Sequence, residues 1–422
     1  MIMIKKFPNF FRKLANFKSI ILAIFLIIMF QIKNTSKDFT YNEKKFENYK
    51  IGLINNIPGA IYSVSVDKNG TIYTADFTNG YVYKFIINEN QLDYTVIDVD
   101  NKKNILEFKK KKYSEIINET GNFIRPHFIT FDKNGNIVII ESGISPKANP
   151  QNPSGGRVRA YNIDTKKIFN EYVVPKIESY KLNHSVDVFG WNFPVNITFD
   201  SFENSYISEY LGHKITKFDF NNNLIGWIGL NKNSSPQTHF HKEGKVLEGG
   251  QFDGLSHPHK LAIGPDKNIY IADTGNKRIV KYSFDGEYIG WIGKNESGEI
   301  LSSWQKNGKA IAGNELGAFD APNDINFIDN EKMLITDKNN NRIVIVDKEG
   351  KSHYWIGKRK GIFNMFKEEI WKKNGTPEES SSFIGFNDPY GFVIKKNNLY
   401  VADRKNHRIK IIYNFNNLKF EK

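Results

Sequence analysis

The sequence predicts an all-β protein, a six-bladed β-propeller preceded by a basic and apolar N-terminal segment. Three observations predict it. A segment of similar length recurs six times along the chain, each recurrence is patterned as four short strands, and no helical pattern separates them. Because a flat sheet of about two dozen strands would twist and split, radial repetition about an axis is favoured. One ring of blades also explains how a chain of 422 residues can exceed the usual size of a single core.

The N-terminal segment has the pattern of an export signal. Residues 1–37 carry seven basic side chains and no acidic one, and Ile20–Phe30 is an unbroken apolar run. A basic stretch before a short apolar run is typical of a secretory signal or a signal anchor. No small-x-small cleavage site follows Phe30, so an uncleaved anchor helix in the membrane is favoured over a cleaved signal, which would make the protein secreted. The positive-inside rule then predicts that the remaining chain lies outside the cytoplasm, in the periplasm or the extracellular space.

The segment after the anchor is predicted to close the ring. Residues 38–57 form a linker, and residues 49–54 have the composition of a strand that could pair as the outer strand of the last unit. Such pairing would remove an exposed sheet edge. The chain therefore divides into the anchor at 1–37, this linker, and the propeller at 58–422.

The repeat is clearest in an acid that ends the second strand of each unit. Its successive positions are 65, 68, 64, 64 and 66 residues apart. A proline opens five of the six units, and Gly59 stands in the corresponding region of the first. Such self-similarity is the signature of a repeat architecture. The acids are Asp76, Glu141, Glu209, Asp273, Asp337 and Asp403, and the prolines are Pro126, Pro194, Pro258, Pro322 and Pro389.

The fourth unit, residues 258–292, illustrates the four strands of a blade. Lys260–Ile263 and Ile269–Ala272 are predicted strands separated by the turn-forming sequence GPDKN. Arg278–Tyr282 and Tyr288–Ile292 follow after further turns and are rich in β-branched and aromatic residues. The same order of strands and turns is predicted for the other five units.

The net charge of +13 argues less for nucleic acid than it first suggests. Seven charges belong to residues 1–37 and five to the lysine-rich segment 102–112, so the remaining chain is close to neutral. A nucleic-acid partner needs a basic face and is not expected here. The lysine-rich segment is predicted to be a solvated loop. With no cysteine, disulfides, thiolate metal sites and a cysteine nucleophile are excluded, and no G-x-S-x-G or H-E-x-x-H motif is present.

The repeats resemble the NHL-repeat family of six-bladed propellers. The resemblance rests on an aspartate followed five residues later by arginine, within DTGNKRIV, DKNNNRIV and DRKNHRIK, and on the preceding lead-in GAFDAP. It covers roughly residues 58–415 and implies the fold, whereas the family includes scaffolds, RNA-binding proteins and enzymes. The aspartate–arginine pairs are interpreted as structural, joining blades, because identical residues at one position of several blades fix the frame. The pairs are Asp273/Arg278, Asp337/Arg342 and Asp403/Arg408.

The candidate site follows from where the repeats differ. In a propeller the loops after strands two and four open on one face, together with the start of strand one. The long insertions at 144–155, 231–257, 294–321 and 358–388 fall there, and loops on a rigid scaffold commonly carry function. The residue after each opening proline is predicted to lie near the axis at this channel mouth. The candidate residues are His127, Val195, His259, Asn323 and Tyr390, with His257 and Asp324 close by.

Two of these positions suggest a metal. The fold is also similar to that of the peptidyl-hydroxyglycine amidating lyase, which places three zinc-binding histidines after such prolines on alternate blades. The resemblance implies that His127 and His259 match two of them, whereas the third position holds Tyr390. A catalytic zinc usually has three protein ligands. Zinc and calcium are the candidate ions, with His127 and His259 as the candidate ligands.

Two functions are therefore carried forward. The first is an exported, membrane-anchored and monomeric propeller that binds a protein, a small molecule or a glycan through its loop-rich face. The second is a metal-dependent lyase or hydrolase with His127 and His259 on the ion. No catalytic residue is assigned.

Overall fold

The computed structural model describes residues 38–46, 49–103, 105–143, 156–172, 191–232, 237–242, 244, 246–250, 253–360 and 370–415. The predicted anchor at 1–37, the insertion at 144–155 and parts of the other insertions lie outside the described residues. Within the described ranges, no helix is long and apolar enough to cross a membrane.

Six antiparallel sheets form the blades, and each begins with the strand nearest the axis. Blade 1 contains Ile61–Val66, Ile72–Asp76, Tyr81–Asn88, Gln91–Asp100 and Ile105–Lys109; blade 2 contains Pro126–Phe131, Ile137–Glu141, Arg157–Tyr161 and Ile168–Tyr172; blade 3 contains Pro194–Phe199, Ser205–Glu209, Lys214–Phe218 and Leu224–Ile228. Blade 4 contains Pro258–Ile263, Ile269–Asp273, Arg278–Tyr282 and Tyr288–Ile292; blade 5 contains Pro322–Phe327, Lys332–Asp337, Arg342–Asp347 and Ser352–Ile356; blade 6 contains Pro389–Lys395, Asn398–Asp403 and Arg408–Tyr413, joined by Lys50–Asn55 and Thr40–Lys45.

The first strands of the six blades surround the axis. Each contacts the first strand of the next blade, and that of blade 6 contacts that of blade 1, so the ring is closed. The prediction of an all-β, six-bladed propeller is confirmed.

The N-terminal strands complete the last blade. Lys50–Asn55 pairs antiparallel with Arg408–Tyr413, and Thr40–Lys45 adds a further strand outside it. Strands from the N-terminal and C-terminal regions therefore belong to one sheet. Opening the ring here would break all the hydrogen bonds between two paired strands.

Two local predictions were wrong, and both concern the segment between blades 1 and 2. The lysine-rich segment is not simply a loop, because Ile105–Lys109 pairs with Gln91–Asp100 as a fifth strand of blade 1. A short helix, Tyr113–Asn118, follows it and buries Ile116. A lysine side chain on an edge strand can keep its charged end in water while the backbone pairs. A lysine-rich composition is therefore compatible with an edge strand as well as with a loop. Single-turn 3₁₀ helices also follow the second strands of three blades, at Thr274–Asn276, Lys338–Asn340 and Arg404–Asn406.

The inserted segments after blades 3, 4 and 5 protect the outer edges of those blades. Each segment contains a small hairpin, and one of its residues forms an isolated β-bridge with the tryptophan of the blade's outer strand. The bridged pairs are Trp227–His241, Trp291–Gln305 and Trp355–Lys372. An uncovered outer strand would offer unpaired backbone groups to another chain. The hairpins are Leu230–Asn231 with Val246–Leu247, Lys294–Asn295 with Ala310–Ile311, and Lys358–Arg359 with Pro377–Glu378.

The hydrophobic core lies between neighbouring blades. Between blades 6 and 1, for example, Ile54 of the closing strand packs in one cluster with Ile61, Tyr83 and Ile409, all fully buried. Each blade thus stabilises its neighbours, and a ring lacking one interface would expose two apolar sheet faces.

The predicted aspartate–arginine pairs lie inside single blades. In blade 5, Arg342 Nε donates to Asp337 Oδ2 at 2.9 Å, and both side chains are fully buried. The other guanidinium nitrogens donate to the carbonyls of Asn314, Glu315 and Ala318, which belong to the segment arriving from blade 4. The pair therefore anchors the connection between blades to the second and third strands. Asp273/Arg278 and Asp403/Arg408 make the same contacts in blades 4 and 6.

We predict that Ile54→Ala lowers the free energy of unfolding by about 2–5 kcal/mol, because it leaves a cavity in the interface that closes the ring. Asn42→Ala, on the exposed strand outside it, should change stability by less than about 0.5 kcal/mol. Urea unfolding of the full chain followed by tryptophan fluorescence measures both. Equal stability of the two variants would contradict a closing role for this strand.

We also predict that Arg342→Met lowers the free energy of unfolding by about 3–5 kcal/mol, because it leaves the buried Asp337 carboxylate without its partner. Lys348→Met serves as the matched control, since the Lys348–Glu331 ion pair is largely exposed and is expected to contribute less than about 1 kcal/mol. The same unfolding measurement compares them. A loss no larger than that of the control would show that the buried pair is dispensable.

Candidate functional site

Six side chains, one from each blade, converge on the axis and form what we call the axial ring. Neighbouring members are in contact: the Tyr62 ring stacks on His127 with centroids 4.6 Å apart, and lies 4.5 Å from Tyr390. The His259 and Tyr390 rings are 5.3 Å apart. The ring consists of Tyr62, His127, Val195, His259, Asn323 and Tyr390, which line a common cavity.

A local irregularity of the first strand aims these side chains inward. In every blade the pairing register between the first and second strands shifts at the residues that follow the strand's first position. A β-bulge of this kind bends the strand and redirects the side chain at the bulge. The prolines at five of these positions fix φ, and the residue before each proline has a left-handed backbone, with φ between 51° and 65°. The preceding residues are Arg125, Phe193, His257, Ala321 and Asp388.

The axial ring closes the channel and does not line an open pore. His127, His259 and Tyr390 are each 4–5% exposed, and the cavity among the ring residues is about 10 Å³. This volume corresponds to about one water-sized sphere, far below what an organic ligand requires. The ring is therefore the floor of the site at the channel mouth.

Both histidines of the floor are held neutral. Burial lowers the pKa of His127 to about 3, although its Nδ1 contacts the Val195 carbonyl at 3.2 Å. Burial, and next the neighbouring His127, lower the pKa of His259 well below its ordinary value. The Tyr390 hydroxyl lies 3.2 Å from His259 Nε2, and burial raises the pKa of that phenol well above its usual range. At neutral pH the three side chains form an uncharged polar group.

The floor fits a three-histidine zinc site poorly. The structure brings His127, His259 and Tyr390 together, with His127 5.8 Å from each of the other two rings. The third member is however a phenol that stays protonated and is hydrogen-bonded to His259, so two ligands remain where three are usual. The assignment of a metal to His127 and His259 stays a prediction.

Asp324 lies beside the floor in an ion pair that connects three blades. Its carboxylate is 2.8 Å from Lys260 Nζ of blade 4 and accepts the backbone N–H of Phe392 in blade 6 at 2.7 Å. Since these contacts use both carboxylate oxygens, the structure gives Asp324 a positioning role in the frame.

A second ring of side chains, which we call the rim, lies next to the floor and comes from the residue after each recurrent acid. Phe77 is 4.9 Å from the Tyr62 ring, and Tyr210 is 4.9 Å from the His259 ring. Lys338 Nζ lies 5.5 Å from the centre of the Tyr390 ring, and the Arg404 guanidinium lies 5.2 Å from that of Tyr62. The complete rim is Phe77, Ser142, Tyr210, Thr274, Lys338 and Arg404.

The six rim positions divide into two kinds. The hydroxyls of Ser142 and Thr274 donate to the carbonyls of the next blade's opening proline, at 2.9 and 2.5 Å, and serve the frame. The other four, two aromatic and two cationic, are partly exposed around the axis. Sequence reasoning missed the rim, and also Tyr62, whose unit lacks the opening proline. The signal was present, since a different residue follows the recurrent acid in each of the six repeats.

The two rim cations have different surroundings. Arg404 is paired with Asp388 and also donates to the Tyr62 hydroxyl at 3.1 Å. Burial lowers the pKa of Lys338, the Asp388 carboxylate opposes this, and the charges of Arg404 and Lys405 lower it further. The Asp388 carboxylate makes its direct contacts with Arg404 and acts on Lys338 through charge alone. An anion at this position would relieve the repulsion between the cations.

His257 stands outside the axial ring. It packs against Tyr210 with ring centroids 4.5 Å apart, and against His213 at 4.6 Å. Burial, and next the charge of His257, lower the pKa of His213 to about 4. The carboxylate of Glu248 lies near both histidines. Neither His213 nor Glu248 was predicted from the sequence, because no spacing rule connects them to His257.

Comparison with known proteins supports the fold. Residues 255–282 and 386–412 match the NHL repeat family. An auxiliary nutrient binding protein from Bacteroides ovatus has 13% identity and a TM-score of 0.50, with 89% of this chain and 76% of that chain covered. A streptogramin B lyase has 12% identity and a TM-score of 0.46 over 90% and 99% of the two chains. A gluconolactonase from Xanthomonas campestris has 9% identity and a TM-score of 0.47 over 87% and 91%.

No curated protein matches the chain. At 13% identity and a TM-score of 0.50, the nutrient binding protein supports the architecture and nothing finer. The two repeat matches and the six-bladed ring together support an NHL-repeat propeller, as the sequence predicted.

Proposed function

We propose that this propeller binds a small organic anion with a planar or aromatic part at the channel mouth. The observation that carries the proposal is the rim, where two cations and two aromatic side chains face the axis above a closed floor. A ligand would rest on this floor and would not enter the channel, because the cavity beneath it has room for about one water molecule.

Each part of the rim would recognise a different part of such a ligand. Phe77 and Tyr210 offer apolar ring surface on one side of the axis, extended by Phe193, whose ring lies between them at 6.4 and 5.8 Å. Lys338 and Arg404 supply positive charge on the other side. Aromatic faces favour a planar group, and cations favour a carboxylate or phosphate.

A small molecule is the form of the predicted ligand that this geometry supports best. The polar and aromatic groups converge on one axial point, as they do in small-molecule sites. The alternative of a lyase or hydrolase with a metal on His127 and His259 has less support, because the floor offers two imidazoles and a protonated phenol.

We predict that benzoate stabilises the full chain against thermal unfolding more than its neutral counterpart benzamide does. Lys338→Met should weaken benzoate binding about 10–100-fold, because it removes a charge-assisted contact. The purified full chain in mild detergent is titrated with each compound, and the midpoint shift is followed by tryptophan fluorescence.

Lys405→Met is the matched control for this test. Lys405 is exposed and adjacent to Arg404 in the sequence, so its removal changes the net charge equally while every rim side chain stays in place. A benzamide shift equal to that of benzoate, or equal losses in the two lysine variants, would contradict the proposed anion site.

We further propose that the propeller is exported and anchored by residues 1–37. The support is the basic and apolar pattern of that segment alone. A reporter that is active only outside the cytoplasm, fused after Lys422, is expected to be active in a bacterial host. Leu22→Arg with Leu26→Arg should abolish this activity by interrupting the apolar run. An inactive reporter with the unchanged sequence, while the full fusion protein is found in the cytoplasm, would refute export.

A further inference from the structure

A second group of polar side chains lies beside the rim, at the junction of blades 3 and 4. His213 follows the second strand of blade 3, His257 precedes the first strand of blade 4, and Glu248 comes from the segment inserted between the blades. One donor atom from each lies within 4.8 Å of the other two. Within the part of the chain that the structure describes, this is the one group of three such side chains.

The separations within this group are close to those of ligands around an ion. Glu248 Oε2 is 3.8 Å from His213 Nε2, and Glu248 Oε1 is 3.5 Å from His257 Nδ1. Both distances are too long for hydrogen bonds. Ligands at zinc distances of about 2.0–2.2 Å in a tetrahedron are about 3.3–3.6 Å apart. The three donor atoms, which lie within 4.8 Å of one another, would therefore have to approach by up to about 1 Å to share one centre.

A comparison with the junction of blades 5 and 6 shows which contacts of this group belong to the repeat and which are particular to it. At the junction of blades 5 and 6, the backbone N–H of Asp388 donates to Asn341 Oδ1 at 2.8 Å. The equivalent contact here runs from the backbone N–H of His257 to His213 Nδ1 at 3.2 Å. The left-handed backbone of both histidines is likewise shared with Asn341 and Asp388. The same backbone geometry therefore occurs at the other junction without histidines. The histidine pair and the nearby carboxylate are particular to the junction of blades 3 and 4.

The surroundings suit a metal with an open position. The Ser256 hydroxyl donates to Glu248 Oε1 at 2.7 Å and would orient the carboxylate from outside the ligand set. Its oxygen also lies 3.0 Å from His257 Nδ1, a contact that coordination through this nitrogen would replace. The side chains of His257 and Glu248 are 29% and 54% exposed, so solvent reaches the group from one side. Coordination through His213 Nε2 would place the ring proton on Nδ1. The hydrogen bond from the His257 backbone N–H to His213 Nδ1 would then be lost, which is a small change compared with a new metal–nitrogen bond.

We propose that His213, Glu248 and His257 bind one divalent transition-metal ion, with zinc as the best match. Two imidazoles and one carboxylate are a common set for zinc, whereas magnesium and calcium prefer oxygen ligands alone. The fourth position faces solvent and would hold water or a ligand. The site is separate from the floor histidines and from the anion contacts at Lys338.

The test is a titration of the full chain with zinc alone, after chelator treatment and dialysis, by isothermal calorimetry with metal analysis of the loaded protein. One zinc per chain is expected. His213→Asn, Glu248→Gln and His257→Asn should each weaken binding more than about 100-fold, beyond the loss seen for outer-shell partners. Asparagine tolerates the left-handed backbone at both histidine positions, and it is the residue that stands at position 341.

His239→Asn is the matched control, because His239 is an exposed histidine of the same inserted segment. It should leave the affinity unchanged. If a histidine variant fails to fold, Glu248→Gln on the exposed carboxylate still decides the question. Absence of stoichiometric zinc binding, or an affinity indifferent to Glu248→Gln, would overturn the proposal. The benzoate response should persist in Glu248→Gln, so failure of either proposed site is recognised independently.

Discussion

The pairing of the strand Lys50–Asn55 with the strand Arg408–Tyr413 is the constraint on which the rest of the structure depends. Lys50–Asn55 lies beside Arg408–Tyr413, and this places the start of blade 1 next to the end of blade 6. Tyr62 and Tyr390 are separated by most of the chain, yet their rings lie 4.5 Å apart at the axis. Without closure the floor would lack two adjoining members, and the rim would lose the contact between Arg404 and Tyr62.

The repeated residues and the variable residues of the blades have different physical tasks. The recurrent acids and the arginines that follow three of them are fully buried or nearly so, and they hold the connections between blades. Their charge is satisfied within the frame and is unavailable for chemistry. The neighbouring positions vary from blade to blade, and these variable side chains supply the aromatic and cationic groups at the mouth. A rigid frame thus allows each blade to contribute one different side chain at a fixed place.

Burial separates the chemistry of the floor from that of the rim. The floor histidines are almost inaccessible and neutral, because a charge there would be removed from water without a compensating partner. The rim cations are partly exposed, and Arg404 has Asp388 beside it. The group at His213, Glu248 and His257 is exposed on one side and includes a carboxylate, which makes it chemically distinct from both rings.

The sequence by itself determined the six blades, because the strand pattern and the recurrent acid are local features repeated at a nearly constant spacing. It also identified five of the six axial positions, since each follows an opening proline. Only the tertiary structure decided that these residues form a closed floor, that the residues after the acids form a rim, and that Glu248 approaches two histidines. Those relations join residues from different blades and an inserted segment, and distance along a chain carries no information about such contacts until the ring is closed.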